Sequence, residues 1–183
     1  MLELSMHILD IVENSTRAGA GLVKIKITED PDRDSLSIEI DDDGAGMDDG
    51  TLRGALDPFF TTKQVRRVGL GLPMLQQAAR QADGHLEIVS KPGDGTRVKA
   101  QFRYGHIDRQ PLGDIAGTMV SLITSNPDVD FVYRHENRGR VYALDTRDIK
   151  KEIGDVPVDH PEIIKLIRED IEKGLKEIGT KKS

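Results

Sequence analysis

Two polar residues near the N-terminus have the types and spacing for chemistry on a metal ion or a water molecule. Asp10 and Asn14 are four positions apart, so they share one face if this segment is helical. A carboxylate can accept a proton from water, and an amide oxygen can join phosphate oxygens and waters around Mg²⁺. A solvated polar helix face is the alternative interpretation of this pair taken alone.

An acidic segment with two glycines, Asp42–Gly46, follows a run of alternating apolar residues. Glycine lets a backbone come close to a flat ligand or adopt left-handed dihedral angles. A carboxylate at the end of a strand can accept a hydrogen bond from an exocyclic amine, and leaving it buried and unpaired costs about 1–3 kcal/mol, so it discriminates well. The alternative is an acidic turn. The EF-hand calcium pattern is not met, because its terminal Glu is missing.

Two further segments have compositions that suit an anchored loop and a phosphate-binding helix start, respectively. Asp57–Lys63 combines a Phe pair with two Thr and a Lys, which suits a loop anchored at one end. Gly69–Leu72 opens a helical pattern, and backbone N–H groups at a helix start bind phosphate. Each signal is weak alone, since a Phe pair can simply plug a core and the chain contains no Walker loop.

The hydrophobic pattern predicts the elements that must position these residues. Apolar residues at helical spacing predict a helix over residues 3–18, and alternation predicts paired strands over 22–27 and 36–40. The pattern then predicts a short helix over 49–56, a mobile loop over 57–71, a helix over 72–82, and a hairpin of strands 85–90 and 96–102. Helices mixed with largely antiparallel strands indicate an α+β fold, a two-layer α/β sandwich.

A domain boundary is predicted near Tyr104-Gly105, because the pattern changes there. Residues 1–104 carry the candidate site, and residues 105–183 form a small C-terminal α/β extension of unknown role. The pattern predicts helices over 112–124, 145–152 and 161–178 and a hairpin over 129–134 and 141–144, turned at Asn137–Gly139.

Two features of this extension have alternative interpretations. The segment 105–111 is either an ordinary connection or a surface that docks on the loop or on a partner. In the last helix, Pro161 suits a first helical position with Asp159 as its cap. The stripe of Ile163, Ile164, Ile167, Ile171 and Leu175 predicts a packing face, with the seam of a homodimer as the alternative.

Composition excludes several classes of function. Lys and Arg number 26 against 32 Asp and Glu, a net charge of -6, which is the reverse of the basic surplus of general nucleic-acid binders. The absence of cysteine excludes a disulfide scaffold and a cysteine-based metal or redox site. No long apolar run and no secretory signal pattern are present. We therefore expect a cytoplasmic protein with neither nucleic acid nor membrane as its partner.

Taken together, the segments resemble the GHKL nucleotide-binding superfamily: sensor histidine kinases, type II topoisomerase ATPase domains, MutL and related heat-shock chaperones. Five matches occur in order over residues 1–103. They are Asn14 (N-box), Asp42–Gly46 (the D-x-G-x-G adenine box), Asp57–Lys63 (the phenylalanine box of histidine kinases), Gly69–Leu72 (second glycine box) and Gly93–Thr96 (the final G-x-G-T element).

The resemblance implies a Bergerat-type ATP-binding fold with ATP and Mg²⁺ as cofactors. It implies that Asp42 accepts the adenine amine, that Asn14 ligates Mg²⁺, and that Asp10 is the catalytic base where hydrolytic relatives carry Glu. The other implied cofactor-binding residues are Arg17, Gly44, Gly46, Lys63, Gly69, Leu70, Gly71 and Thr96. In this set, Gly44 and Gly46 let the purine approach, and Thr96 lies behind it.

The sequence departs from the family pattern at two positions. Arg67 stands where the second glycine box usually has a further glycine. We expect either a stiffer loop or a loop in which Arg66 and Arg67 themselves bind phosphate. Asp10 is one methylene shorter than Glu, which shortens its reach to an attacking water.

The phosphoacceptor histidine of sensor kinases lies on a helical hairpin before the N-box helix, and here that helix lies at the start of the chain. We therefore expect a phosphoacceptor or regulatory protein acting in trans. His7, on the N-box helix, is expected to be a packed or surface histidine rather than the acceptor.

Three functions are compatible with these observations. The first is an ATPase or histidine-kinase-like phosphotransferase that transfers or hydrolyses the γ-phosphate. The second is an ATP-gated protein-binding switch of the anti-sigma, serine-kinase type, with little turnover. The third is a nucleotide-sensing subunit of a larger complex.

Overall fold

The computed structural model describes residues 3–57 and 70–181. Most of the predicted loop 57–71 therefore lies outside the described residues. The elements in chain order are α1 (Leu4–Arg17), β1 (Leu22–Asp30), β2 (Ser35–Asp42), α2 (Asp49–Leu56), α3 (Gly71–Gln81), β3 (His85–Lys91), β4 (Gly95–Arg103), α4 (Ile115–Ser125), β5 (Asp130–Asn137), β6 (Arg140–Asp145), α5 (Thr146–Ile153) and α6 (Pro161–Glu177), with one 3₁₀ turn at Pro31–Arg33.

The described strands form one six-stranded sheet in the order β3-β4-β2-β1-β5-β6. Neighbouring strands are antiparallel except β1 and β5, which are parallel. Period-2 alternation places Ile25 and Ile40 on the buried face, whereas Lys26 and Glu39 face away from the core. Helices α1, α3, α4 and α6 contribute apolar residues to the same buried cluster as the sheet, so the fold is the expected two-layer α+β sandwich. None of the described helices has the length and apolar character needed to cross a bilayer.

The second half of the chain extends the same sheet. Strand β5 pairs with β1 along its length, from Leu22 opposite Asp130 to Glu29 opposite Asn137. Helix α4 packs on α1 and on α6, and the buried cluster includes both Ile8 and Phe131. The predicted boundary at residues 104 and 105 thus separates two sequence patterns that share one core.

The segment 105–111 packs on α1, which neither interpretation of the sequence predicted. The amides of Leu4 and Ser5 donate to the carbonyl oxygens of Pro111 and Leu112, each at 2.9 Å. The first N–H groups of a helix have no partner within the helix, so the connection supplies the acceptors that α1 needs. The extension is thereby attached to the helix that carries Asp10 and Asn14.

One helix start and one helix cap predicted for the extension are wrong, whereas the predicted start of α6 at Pro161 is confirmed. Helix α4 begins at Ile115 rather than at residue 112, because Asp114 caps it by accepting the Gly117 amide at 2.9 Å. Helix α6 is capped by His160 rather than Asp159, since His160 Nδ1 accepts the Glu162 amide at 3.3 Å.

The apolar stripe of α6 is confirmed as a packing face. Ile167 and Ile171 are buried in the core, and the remaining stripe residues pack against it.

Candidate nucleotide-binding site

A cavity of about 700 Å³ opens between α1, the end of β2, β4 and the starts of α2 and α3. It brings together five of the residues singled out from the sequence, namely Asn14, Arg17, Asp42, Gly46 and Thr96. Its remaining walls are mostly apolar and consist of Ile11, Ser15, Ala18, Ala45, Met47, Thr51, Leu72 and Val98. A largely apolar cleft with few polar groups is the usual form of a small-molecule site.

The carboxylate of Asp42 lies at the end of β2 and is held at both oxygens. Oδ1 accepts the Gly44 amide at 2.9 Å, and Oδ2 accepts the Ser15 hydroxyl at 2.6 Å. Asp42 is 8% exposed and forms no ion pair with any described residue. A buried carboxylate that keeps free lone pairs remains an acceptor for a donor in the cavity.

Asn14 presents an unsatisfied amide to the same cavity. Both Oδ1 and Nδ2 are buried, and neither has a hydrogen-bond partner among the described residues. Buried polar groups in folded proteins nearly always find a partner. An amide oxygen suits Mg²⁺, so a metal ion with its ligand fits this residue.

Thr96 faces Asp42 across β2 and β4, and a serine fixes its hydroxyl. Ser90 Oγ lies 2.8 Å from Thr96 Oγ1, accepts the Met47 amide at 2.8 Å, and lies 3.1 Å from the carbonyl oxygen of Gly95. When Ser90 donates to Gly95, Thr96 donates to Ser90, and Thr96 then keeps its lone pairs for the cavity.

Gly46 and Gly95 are required by the backbone itself. Both have positive φ, 68° and 85°, a region that other residues enter only with strain. A Cβ on Gly46 would overlap the carbonyl oxygen of Lys91, and one on Gly95 would overlap that of Asp42. These two glycines let the acidic loop and the β3–β4 turn pack directly on each other. Gly44 is likewise close to Ala18 and Asp42.

Asp43 has a structural role beside Asp42. Its Oδ1 accepts the amides of Gly21 and Leu22 at 2.8 and 2.9 Å. This carboxylate therefore holds the turn between α1 and β1 and points away from the cavity-lining set.

Asp10 lies against the start of α3. A Cβ on Gly71 would overlap the Asp10 carboxylate, and Asp10 is absent from the cavity wall. Leu70 is the N-terminal flanking residue of α3 and is 63% exposed. The expected base therefore lies beside Gly71, the first residue of α3, and neither Leu70 nor Gly71 lines the cavity.

Of the remaining predicted site residues, one lines the cavity and two cannot be placed. Arg17 lines the cavity while pairing with Glu13 at 3.2 Å on the exposed face of α1. Lys63 and Gly69 lie outside the described residues.

The histidines form no metal site in the described part of the chain, where no group of three or more metal-ligating side chains occurs. His7 is packed, as expected, with Nε2 2.9 Å from Gln110 Oε1. Burial lowers the pKa of His7, and this effect outweighs that of the hydrogen bond to Gln110, which acts to raise the pKa. His135 is buried in a network with Glu29.

Sequence reasoning missed Ser15 and Ser90. Ser15 is a polar residue at helical spacing with the buried Ile8 and Ile11 on α1, and that anomaly was the available signal. Ser90 gave none, because its partner Met47 is distant in the chain and reaches it only through the sheet.

A family model described as "Histidine kinase-, DNA gyrase B-, and HSP90-like ATPase" matches residues 2–106, which is more than half of the chain. The chain belongs to this GHKL family of ATP-binding domains. The matched region contains every residue that we assigned to the cavity.

The curated relatives of this GHKL domain include bacterial sensor kinases. Sensor protein kinase FleS of Pseudomonas aeruginosa is 39% identical over 89 residues, which cover 49% of this chain and 22% of FleS. Signal transduction histidine-protein kinase AtoS of Escherichia coli is 36% identical over 93 residues, covering 50% of this chain and 15% of AtoS. The chain thus matches less than a quarter of each kinase.

Solved structures share the fold at low sequence identity. The MutL ATPase domain of Aquifex aeolicus, complexed with ADP, is 17% identical, with a TM-score of 0.51 over 84% of this chain and 68% of that chain. An N-terminal domain of a DNA repair protein reaches a TM-score of 0.52 at 16% identity, over 79% of this chain and 53% of that chain. The overlap with MutL exceeds the span of the family match, so the shared shape continues into the extension.

Proposed function

We propose that this GHKL domain binds ATP together with Mg²⁺ in the cavity and passes the γ-phosphate to a partner protein or to water. The observation that carries the proposal is the Asn14 amide, which is buried in the cavity wall without a partner among the described residues. The sensor kinases among the relatives favour transfer of the phosphoryl group to a protein over hydrolysis.

Each side chain has a separate task in this proposal. Asp42 accepts the exocyclic amine of adenine and so orients the purine. Asn14 holds Mg²⁺ with its amide oxygen, and the first amides of α3, at Leu70 and Gly71, hold phosphate oxygens. Bound ATP supplies the phosphoryl group, and Mg²⁺ neutralises its charge.

Further contacts follow from the resemblance. Arg17 lies at the cavity wall, where a cation can contact phosphate, and Lys63 and Gly69 complete the implied set. Asp10 accepts the proton of an attacking water when water is the acceptor.

The metal assignment predicts a specific defect in Asn14→Ala. Removing the amide oxygen should abolish the gain in ATP affinity that Mg²⁺ provides, while binding without Mg²⁺ changes little. Titration calorimetry with and without Mg²⁺ measures this ratio, which should fall at least tenfold. Thr16→Ala, on the same turn but outside the cavity wall, is the matched control. An unchanged Mg²⁺ ratio in Asn14→Ala would contradict the assignment.

The ATP-gated switch with little turnover is the second candidate, and the place of Asp10 favours it. The carboxylate packs against Gly71 and does not line the cavity, and among the described residues of the cavity wall only Asp42 carries a carboxylate.

Turnover itself distinguishes the two functions. If the domain hydrolyses ATP, Asp10→Asn should lower steady ADP release at least a hundredfold and leave the ATP dissociation constant within threefold. Negligible release from the unmodified protein supports the switch instead. Labelled phosphate on a co-purified protein supports the kinase.

A further inference from the structure

A second cavity, of about 650 Å³, lies at the opposite end of the sheet. Along β1, Val23 is opposite Asp42 of the ATP site, whereas Glu29 is opposite Asn137 of this second cavity. The six steps between them span roughly 20 Å. The two cavities therefore lie apart, and this one falls in the extension rather than in the family's motifs.

Three cations surround this distal cavity. Arg138 and Arg140 flank the β5–β6 turn, and Lys181 follows α6. None of them forms an ion pair with another residue in the described ranges; Arg140 reaches only the carbonyl oxygen of Glu177, at 3.4 Å. None of the described residues that line the cavity carries a carboxylate, so the cavity favours an anion.

A buried amide on the same wall indicates a second kind of contact. Asn137 is 6% exposed, lines the cavity, and its Oδ1 has no hydrogen-bond partner in the described part of the chain. This oxygen can only accept, so its partner must carry an O–H or N–H group. Tyr104 also lines the cavity.

We propose that the distal cavity binds a small phosphorylated metabolite. Its phosphate lies among Arg138, Arg140 and Lys181, which match a doubly charged group. A hydroxyl or N–H group elsewhere on the molecule donates to Asn137 Oδ1. The cavity holds far more than a single ion, since one water occupies about 30 Å³, and this favours an organic phosphate over inorganic phosphate.

Ribose 5-phosphate is a suitable probe, and amide chemical shifts of the isotope-labelled full chain report where it binds. We expect saturable shifts at Gly139 and Gly179 beside the distal cavity, and none with neutral ribose. Gly44 and Gly46 report the ATP site separately. If the domain does not bind ATP, the shifts expected at Gly139 and Gly179 stay the same.

Variants test the assigned contacts. The double variant Arg138→Gln/Arg140→Gln should bind ribose 5-phosphate at least tenfold more weakly. Arg134→Gln, an exposed arginine paired with Glu136 on the same strand, should bind as the unmodified chain does. Asn137→Asp, which brings a negative charge to the wall at nearly unchanged shape, should also weaken binding.

The proposal is overturned by shifts confined to Gly44 and Gly46, by absence of saturation at Gly139 and Gly179, or by equal affinity in the double arginine variant. Because the arginines are exposed, that variant keeps the test valid even if Asn137→Asp does not fold.

Discussion

The Asp42 carboxylate reaches its position through partners on both sides. Ser15 donates to one oxygen and the Gly44 amide to the other, so the side chain cannot rotate without losing a hydrogen bond. A carboxylate fixed in this way presents its free lone pairs in one direction. In the proposed function, Ser15 therefore affects the ligand only through its hydrogen bond to Asp42.

Ser15→Ala should weaken the binding of ATP about tenfold, because a hydrogen bond to a charged group contributes about 1.5 kcal/mol or more. The triphosphate of purine riboside lacks the exocyclic amine, so the same substitution should weaken its binding much less. Calorimetry with both nucleotides measures the difference. Equal losses for the two ligands would mean that Ser15 merely stabilises the fold.

At the scale of the elements, the acidic loop Asp42–Gly46 with Met47 and the β3–β4 turn are joined by backbone contacts into a single junction. Ala45 accepts the Gly93 amide at 2.8 Å, and Met47 donates to Ser90. The junction fixes the end of β4, which carries Thr96, against the end of β2, which carries Asp42. The cavity floor thus depends on two loops that are distant in the chain.

Gly95→Ala and Gly93→Ala form a matched pair that tests this junction. Both glycines have positive φ, 85° and 82°, but only Gly95 would place a Cβ on the Asp42 backbone, since Gly93 has open space. Gly93→Ala should lower the free energy of unfolding by about 1–2 kcal/mol, from backbone strain alone. Gly95→Ala should lower the free energy of unfolding by clearly more than this and should also weaken the binding of ATP. Denaturant unfolding measures both, and equal costs would refute the close packing.

At the scale of the whole molecule, a buried polar network connects the two halves of the chain. Burial raises the pKa of the Tyr133 hydroxyl well above its ordinary value, so it stays protonated and donates to His135 Nδ1 at 2.7 Å. His135 Nε2 then carries the hydrogen and donates to Glu29 Oε1 at 2.8 Å. Thr180 also donates to Glu29, at 2.7 Å. Strand β1, strand β5 and the segment after α6 meet at one carboxylate.

Glu29 should make stability depend on acid pH. Its burial acts to raise the pKa, but the hydrogen bonds from His135 and Thr180 outweigh it and hold the pKa of Glu29 below its usual value. A lowered pKa stabilises the fold above the ordinary Glu range, and that stability is lost as the pH falls through the folded value.

Glu29→Gln should therefore lower the free energy of unfolding by about 2–4 kcal/mol near neutral pH and flatten its fall at acid pH. Denaturant unfolding between pH 3 and 7 measures both effects. Glu39→Gln, on the open face of the sheet and paired with Lys99, is the control and should change stability little. An acid dependence as steep as that of the unmodified chain would exclude Glu29 as its source.

Much of this protein follows from the sequence alone. The element types, the α+β class and the family membership predicted from the motifs are confirmed, because periodicity and short motifs are properties of neighbouring residues. The location of Asn14 and Asp42 at the ends of predicted elements follows from the same local patterns.

The tertiary structure alone decided which of these elements meet. Period-2 alternation identifies a strand but does not name its neighbour, so the pairing of β5 with β1 could not be predicted. The contacts from Ser15 to Asp42 and from Glu29 to His135 join residues 27 and 106 positions apart. Such contacts depend on strand order and helix packing, which are global properties of the folded chain.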